Sequence, residues 1–207
     1  MQVALSRHFF FLLIACLVCG AGGCGQKAPV PPDQTDYDFA APRTAWLSLD
    51  VQTRSTLDTG LAKRPKPAMC VIHGTGSPAA SASGLADNHQ RVRGIGGGMA
   101  YHFVIGNGHG IADGSLVIGP RWLAGTASGA GDDISLDRGT ISICLVGDFN
   151  RAPPSLKQLQ TLDELLDYLT GKIGPYPVRL HREIENSRRA CPGKHFPVRA
   201  MRRAYSL

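Results

Sequence analysis

The sequence predicts an α/β fold: a single domain with a mixed central β-sheet flanked by helices. Three observations carry this expectation. Ala68 to Ile72 and Thr140 to Val146 are compact apolar runs of the length of buried strands. Leu156, Leu159, Leu162, Leu165, Leu166 and Leu169 recur on one face of a helix. Around them, strand-like and helix-like segments follow in the order β-α-β-β-β-α-β, which calls for a mixed sheet with helices packed on it.

The chain opens on an export signal. Met1 to His8 carries Arg7 and no acid, Phe9 to Val18 is apolar, and small residues follow. That is the layout of a secretory signal, too short to remain as a spanning helix. Its end, Ala21-Gly22-Gly23-Cys24-Gly25-Gln26-Lys27, resembles the lipobox of bacterial lipoproteins, in which the cysteine receives lipid and becomes the new N-terminus. Leu13-Ile14-Ala15-Cys16 fits the pattern too, but cutting there leaves an apolar region of only seven residues, so Cys24 is preferred. A plain secreted protein cut near Gly22 is the alternative. Residues 1–23 are thus read as lipoprotein signal, and 24–43, with Pro29, Pro31, Pro32 and Pro42, as lipid anchor and flexible linker.

At 207 residues the chain has room for one well-cored domain and a tail. Of six cysteines, Cys16 and Cys19 leave with the signal and Cys24 takes lipid. Cys70, Cys144 and Cys191 remain, an odd number in an oxidising compartment, which argues that at least one is otherwise occupied. Cys70 and Cys144 sit in apolar strand-like runs and are read as buried thiols, with a disulfide between neighbouring strands left open. Loss of Arg7 brings the formal charge from +6 to +5. Much of the excess lies near the C-terminus, at Arg179, Arg182, Arg188, Arg189, Lys194, Arg199, Arg202 and Arg203. In an exported protein this reads as a solvated basic face or one meeting wall polymers, and nucleic acid is not an expected partner.

From Thr44 the folded domain, 44–207, begins. Leu47, Leu49 and Val51 alternate with polar residues, suggesting a short strand or an extended arm docked on the core. After a loop with Pro65 and Pro67, the Ala68–Ile72 strand delivers His73 at its C-terminal end. Thr75 to Pro78 turns the chain, Ala79 to Arg93 suits a modest helix, and Gly94 to Gly98 is a loop. Met99 to Ile105 reads as a strand. Gly106-Asn107-Gly108-His109-Gly110 suits a hairpin turn, with Ile111 and Leu116 to Ile118 returning. Ala124 to Arg138 reads as loop and Thr140 to Val146 as a strand. Ser155 is an N-cap for the leucine-faced helix, which Gly171 closes, and Pro177 to Leu180 forms a last strand delivering His181.

Three segments carry chemistry: C-V-I-H-G-T-G at His73, R-L-H-R-E at His181, and R-A-C-P-G at Cys191. Any one histidine at a strand end is ordinarily a polar cap. Together, two imidazoles and a thiolate make a three-ligand zinc site with the fourth position open for water, the arrangement of hydrolytic zinc.

Four segments in order, C-V-I-H-G-T-G-S-P, M-A-Y-H-F-V-I-G-N-G-H-G, T-I-S-I-C-L-V-G-D-F-N, and L-H-R-E followed by A-C-P-G, resemble the zinc-dependent N-acetylmuramoyl-L-alanine amidase family, which includes phage-lysozyme-type amidases and peptidoglycan recognition proteins. The resemblance runs from about Ala68 to Phe196. It implies that 44–207 is a zinc amidase domain, with Zn2+ held by His73, His181 and Cys191. It places Tyr101 where catalytic members carry a tyrosine beside the metal-bound water. It places Arg189 where active members often carry Lys or Thr to help hold the developing oxyanion. The implied reaction cleaves the amide between the N-acetylmuramic acid lactyl group and L-alanine of the stem peptide.

There are departures. Gly74 stands where many members carry a second histidine, the loop before Thr140 lacks the usual histidine, and Arg189 cannot donate a proton at neutral pH. They motivate an alternative, a non-catalytic peptidoglycan-binding lipoprotein of the same fold, which ranks second because inactive members commonly lose the cysteine that Cys191 retains here. A zinc endopeptidase acting elsewhere in the stem is the third reading. His102, a strand neighbour of Tyr101, is expected on the opposite face in core or at the surface. His89, His109 and His195 are read as structural or solvent-exposed, and Asp148 and Asn150 as closing a turn. The expected partners are peptidoglycan or muropeptides and, through the lipid, a membrane. The expected state is a monomer in the cell envelope, at the outer membrane facing the periplasm if the organism is diderm.

Overall fold

The computed structural model describes residues 37–39, 49–131, 139–184 and 190–205. The export signal, Cys24 and Arg189 lie outside the described residues.

The fold is a single α/β domain whose mixed five-stranded sheet is flanked by helices. Its strands are β1 (Met69–Gly74), β2 (Phe103–Ile105), β3 (Leu116–Ile118), β4 (Thr140–Leu145) and β5 (Val178–Leu180), in the order β3-β2-β4-β1-β5. β1 lies parallel to both β4 and β5, β2 is parallel to β4, and β3 pairs antiparallel with β2. The helices are α1 (Val51–Leu61), α2 (Ala82–Asp87) continued by a π-helical turn (Asn88–Val92), α3 (Pro120–Ala124), α4 (Leu156–Ile173) and α5 (Val198–Ala204). Among the described residues no helix is long and apolar enough to cross a membrane.

Period-two alternation sorts the sheet into two faces. Cys70, Ile72, Phe103, Ile105, Ile141, Ile143 and Leu145 enter the main core together with the α4 leucines and Trp122. Tyr101, Val104, Cys144 and Val146 form a smaller core. His73 pairs in register with Cys144 and therefore shares that second face. Cys70 and Cys144 are both free, buried thiols; Cys70 pairs with Ile141, three residues from Cys144, too far along the strands for a disulfide.

The leucine-faced helix starts where expected. The Ser155 hydroxyl accepts from Gln158 N at 3.1 Å while the Gln158 side chain accepts from Ser155 N at 3.0 Å, a reciprocal cap that contributes about 1 kcal/mol. Gln158 also donates to Ile105 O and Val146 O, fastening the helix to the sheet. The helix runs past Gly171 to Ile173, because Ile173 still packs on the core, and it stops at Gly174 (φ 77°).

Other elements depart from expectation for physical reasons. Val51 does not continue a strand: it is 85% exposed and opens α1, capped by Asp50, whose side chain accepts from Thr53 N at 2.7 Å. Leu49 does dock in the core. The strand expected from Met99 is only Phe103–Ile105, because His102 replaces part of the ladder: its Nδ1 accepts from Ser142 N at 3.1 Å. Residues 120–124, at the edge of the expected loop, form α3, with Pro120 at its start and Gly125 in left-handed conformation after its end. α5 follows unheralded, burying Ala200 and Met201. The core also reaches back beyond Thr44. Phe39 is buried, and Tyr37 and Tyr205 donate to the buried Asp163 of α4.

Candidate functional site

Three loops meet at the C-terminal ends of β1, β4 and β5. β1 presents His73, 3% exposed. β5 passes into a 3₁₀ turn carrying His181, 5% exposed. Glu183 fixes that turn by accepting from Leu180 N at 2.9 Å. The loop with Cys191 is stitched on at two points: Arg182 N donates to Cys191 O at 3.0 Å, and the Arg182 guanidinium to Gly193 O at 3.2 Å. On its other side Lys194 N donates to Asn150 and His195 N to Phe149 O.

The result is a tight triangle. The ligand atoms of His73, His181 and Cys191 all lie within 4.8 Å of one another, and the two imidazole centroids are 4.5 Å apart. Gly74 N donates to Cys191 Sγ at 3.3 Å, a contact that favours the thiolate. Two imidazoles and a backbone-supported sulfur are a donor set of zinc type. The residues present fit zinc.

Gly74 itself explains one departure from the resemblance. A Cβ there would stand 2.9 Å from Pro192 O and 2.9 Å from the Phe149 ring. The closely packed Cys191 loop leaves no room for the second histidine.

The triangle forms one wall of a cavity of about 320 Å³. Tyr101 lines it and packs on His73 with ring centroids 5.3 Å apart. Burial, then the neighbouring Cys144 thiol, raise its phenol pKa well above the usual value, so it is neutral and protonated. Sequence reasoning missed His89 as a site residue. It is buried in the cavity wall, edge-on to Tyr101 at 5.1 Å, with Nδ1 accepting from Ala100 N at 3.0 Å. Burial and the nearby Arg93 and Arg121 lower its pKa to about 4, so it is a neutral ring. The available signal was its spacing of four from Leu85, which puts both on one helical face; both line the cavity. Arg93 adds a cation at the rim, and among the described lining residues there is no carboxylate.

The remaining candidates fall outside the site or play structural parts. His102 is fully buried on the far face, its Nε2 at 3.0 Å from Thr126 O. His109 and His195 are exposed. Asp148 closes the turn after β4 by accepting from Asn150 N, and Asn150, though it borders the cavity, also holds Lys194 N. Arg189 lies outside the described residues, between His181 and Cys191 in sequence.

No curated protein sequence matches the chain. Among solved structures, the N-acetylmuramoyl-L-alanine amidase LysC from Clostridium intestinale URNW is similar at 23% identity and a TM-score of 0.58, over 69% of this chain and 87% of that one. A point mutant of Drosophila PGRP-LB in complex with tracheal cytotoxin is similar at 20% identity and a TM-score of 0.54, over 68% and 83%. Human PGRP-IBETAC in complex with glycosamyl muramyl pentapeptide is similar at 16% identity and a TM-score of 0.56, over 68% and 85%. These likenesses establish the fold. Residues 63–194, well over half of the 207, match the family described as N-acetylmuramoyl-L-alanine amidase, and the chain belongs to that family.

Proposed function

We propose that this protein is a zinc-dependent N-acetylmuramoyl-L-alanine amidase that hydrolyses the amide between N-acetylmuramic acid and L-alanine of peptidoglycan stem peptides. The observation that carries the reading is the convergence of His73, His181 and Cys191 beside Tyr101 in one cavity. Zinc bound there supplies a Lewis acid that activates water and polarises the amide carbonyl.

The chain's own residues do the rest. Gly74 N–H and the stitched 190–196 loop keep Cys191 Sγ aimed at the imidazoles. Tyr101 places a neutral hydroxyl in the cavity wall, where it orients the attacking water or stabilises charge developing on the carbonyl oxygen. Arg189 is assigned to the same charge as a fixed cation. The substrate class is supported by family membership and by two structural neighbours solved with tracheal cytotoxin and with glycosamyl muramyl pentapeptide.

A binding-only reading has one observation in its favour, the steric exclusion of a second histidine at Gly74. Retention of the three-ligand set weighs for the enzyme. We assign the chain to the cell envelope as a lipid-anchored monomer, with residues 1–23 as signal, Cys24 as the lipidated residue and a linker after it leading into the zinc amidase domain. Metal analysis with activity tests the enzyme reading. Stoichiometric zinc and stem-peptide release that a chelator abolishes and zinc restores are expected; full zinc without amide cleavage on several wall types leaves only binding. Intact-mass analysis of the membrane fraction tests the anchor: lipid on Cys24 is expected, whereas lipid at Cys16 or an unmodified N-terminus contradicts it.

A further inference from the structure

Tyr101 is the proposed catalytic residue with the most elaborate support around it. It belongs to the irregular stretch before β2, between Ala100, whose carbonyl accepts from Gly129 N at 3.0 Å, and His102, whose N donates to Ser142 O at 3.1 Å. A side chain from elsewhere adds to these holds. His89, on the π-helical turn, meets the ring edge-on, at 5.1 Å and 75° between planes. The same imidazole accepts from Ala100 N at 3.0 Å and so fixes the backbone one residue before Tyr101. Cys144, on β4 in register with His73, belongs to the same small buried cluster as Tyr101, and its thiol donates to Leu145 O at 3.7 Å.

We infer that His89 is a positioning residue that clamps Tyr101, at the ring edge and through the preceding amide. The clamp gives His89 a role that packing alone leaves unexplained: a buried imidazole spends its acceptor on the amide adjoining the proposed catalytic residue. Displacements of about 1 Å in a reacting group are known to cost up to roughly a hundredfold in rate, which sets the scale of what such a clamp protects.

The kinetic side of the test rests on the amidase reading; the spectroscopic side does not. The zinc-loaded full chain is labelled with 3-fluorotyrosine, which gives five ¹⁹F sites, and the Tyr101 line is assigned by its loss in Tyr101→Phe. His89→Ala is then compared with His89→Asn, which keeps an acceptor for Ala100 N. The expected result is a Tyr101 line shifted or broadened by His89→Ala and partly restored by His89→Asn. Zinc content should stay at the wild-type level throughout. On muropeptide, His89→Ala loses about tenfold or more in kcat with KM within about twofold, and the loss shrinks to less than about twofold when it is made in Tyr101→Phe. An unmoved Tyr101 line in folded, zinc-loaded His89→Ala, or a kinetic loss that multiplies with Tyr101→Phe, overturns the inference. If the wild type cleaves no muropeptide at all, the amidase reading fails and the ¹⁹F line alone decides the clamp.

Discussion

Gly74→Ala tests how the Cys191 loop is closed over the strand that carries His73. The added methyl would lie 2.9 Å from Pro192 O, 2.9 Å from Phe149 Cδ2 and 3.2 Å from Phe149 Cε2. One of these neighbours is backbone, and the ring is itself packed against Phe196 at 5.9 Å. Relief therefore requires the 190–196 loop to move outward by a few tenths of an ångström, at the cost of overpacking a close-packed site, about 1–3 kcal/mol. The same movement lengthens the Gly74 N–H contact to Cys191 Sγ, now 3.3 Å. Loss of a hydrogen bond that supports a metal ligand typically weakens metal binding by about 10–100-fold. Urea unfolding of chelator-treated protein reads the first effect, and competition with a chromophoric zinc chelator reads the second. A variant equal to wild type in both would show that the loop is loosely held and that sterics do not account for the glycine.

Gly171→Ala should act in the opposite direction. It lies inside α4 with nothing within 4 Å of a built Cβ, so the alanine is expected to stabilise by about 0.5–1 kcal/mol in urea unfolding; a loss contradicts the helix placement. Cys191→Ser should lower zinc affinity greatly, because a serine hydroxyl stays protonated at neutral pH, and His73→Ala or His181→Ala should abolish turnover; normal zinc content and turnover in any of the three refutes the ligand set. Tyr101→Phe should keep zinc and slow hydrolysis, and unchanged rates return Tyr101 to a packing role. Burial holds His102 down to about pH 4, against the raising effect of its bond to Thr126 O and with help from Arg64 and Arg121, while the unfolded chain protonates near 6.5. The unfolded state thus binds the extra proton between these values. Stability is full above about pH 6.5 and falls towards pH 4, by at most about 1.4 kcal/mol per pH unit from this group. His102→Gln should flatten that fall in urea titrations at pH 7, 5.5 and 4.5, and an unchanged slope contradicts the assignment.

The parts of the fold legible in the sequence were those whose side chains repeat. Met69–Gly74 and Thr140–Leu145 are buried on both faces, and their apolar residues, Met69 to Ile72 and Ile141, Ile143, Cys144 and Leu145, read as strands; α4 carries a full leucine stripe behind a reciprocal cap at Ser155 and Gln158. α1 was illegible because its burial rests on Leu57 and Gly60 alone, with no apolar period to see. β2 is shorter than its apolar run because the His102 ring stands in for backbone pairing, a substitution that no propensity encodes. At the site, His73, His181 and Cys191 were legible through the family's motifs, and the structure brings the three together. Cys144 was legible as a buried thiol, whereas His89 read only as structural or solvent-exposed, since its part depends on which neighbours the folded chain sets beside Tyr101.

The central claim, hydrolysis at the lactyl–alanine amide, is tested most directly by digesting a defined muropeptide in ¹⁸O-labelled water and reading both products by mass spectrometry. Cleavage of that C–N bond adds the water oxygen to the lactyl carbonyl carbon and frees the alanine amine. The account predicts ¹⁸O in the muramic acid carboxylate and an unlabelled stem peptide beginning at L-alanine, in a reaction stopped by chelation and restored by zinc. Label in a peptide carboxylate would mean an endopeptidase, and intact muropeptide recovered after incubation with the fully zinc-loaded protein would mean that the site binds without cutting.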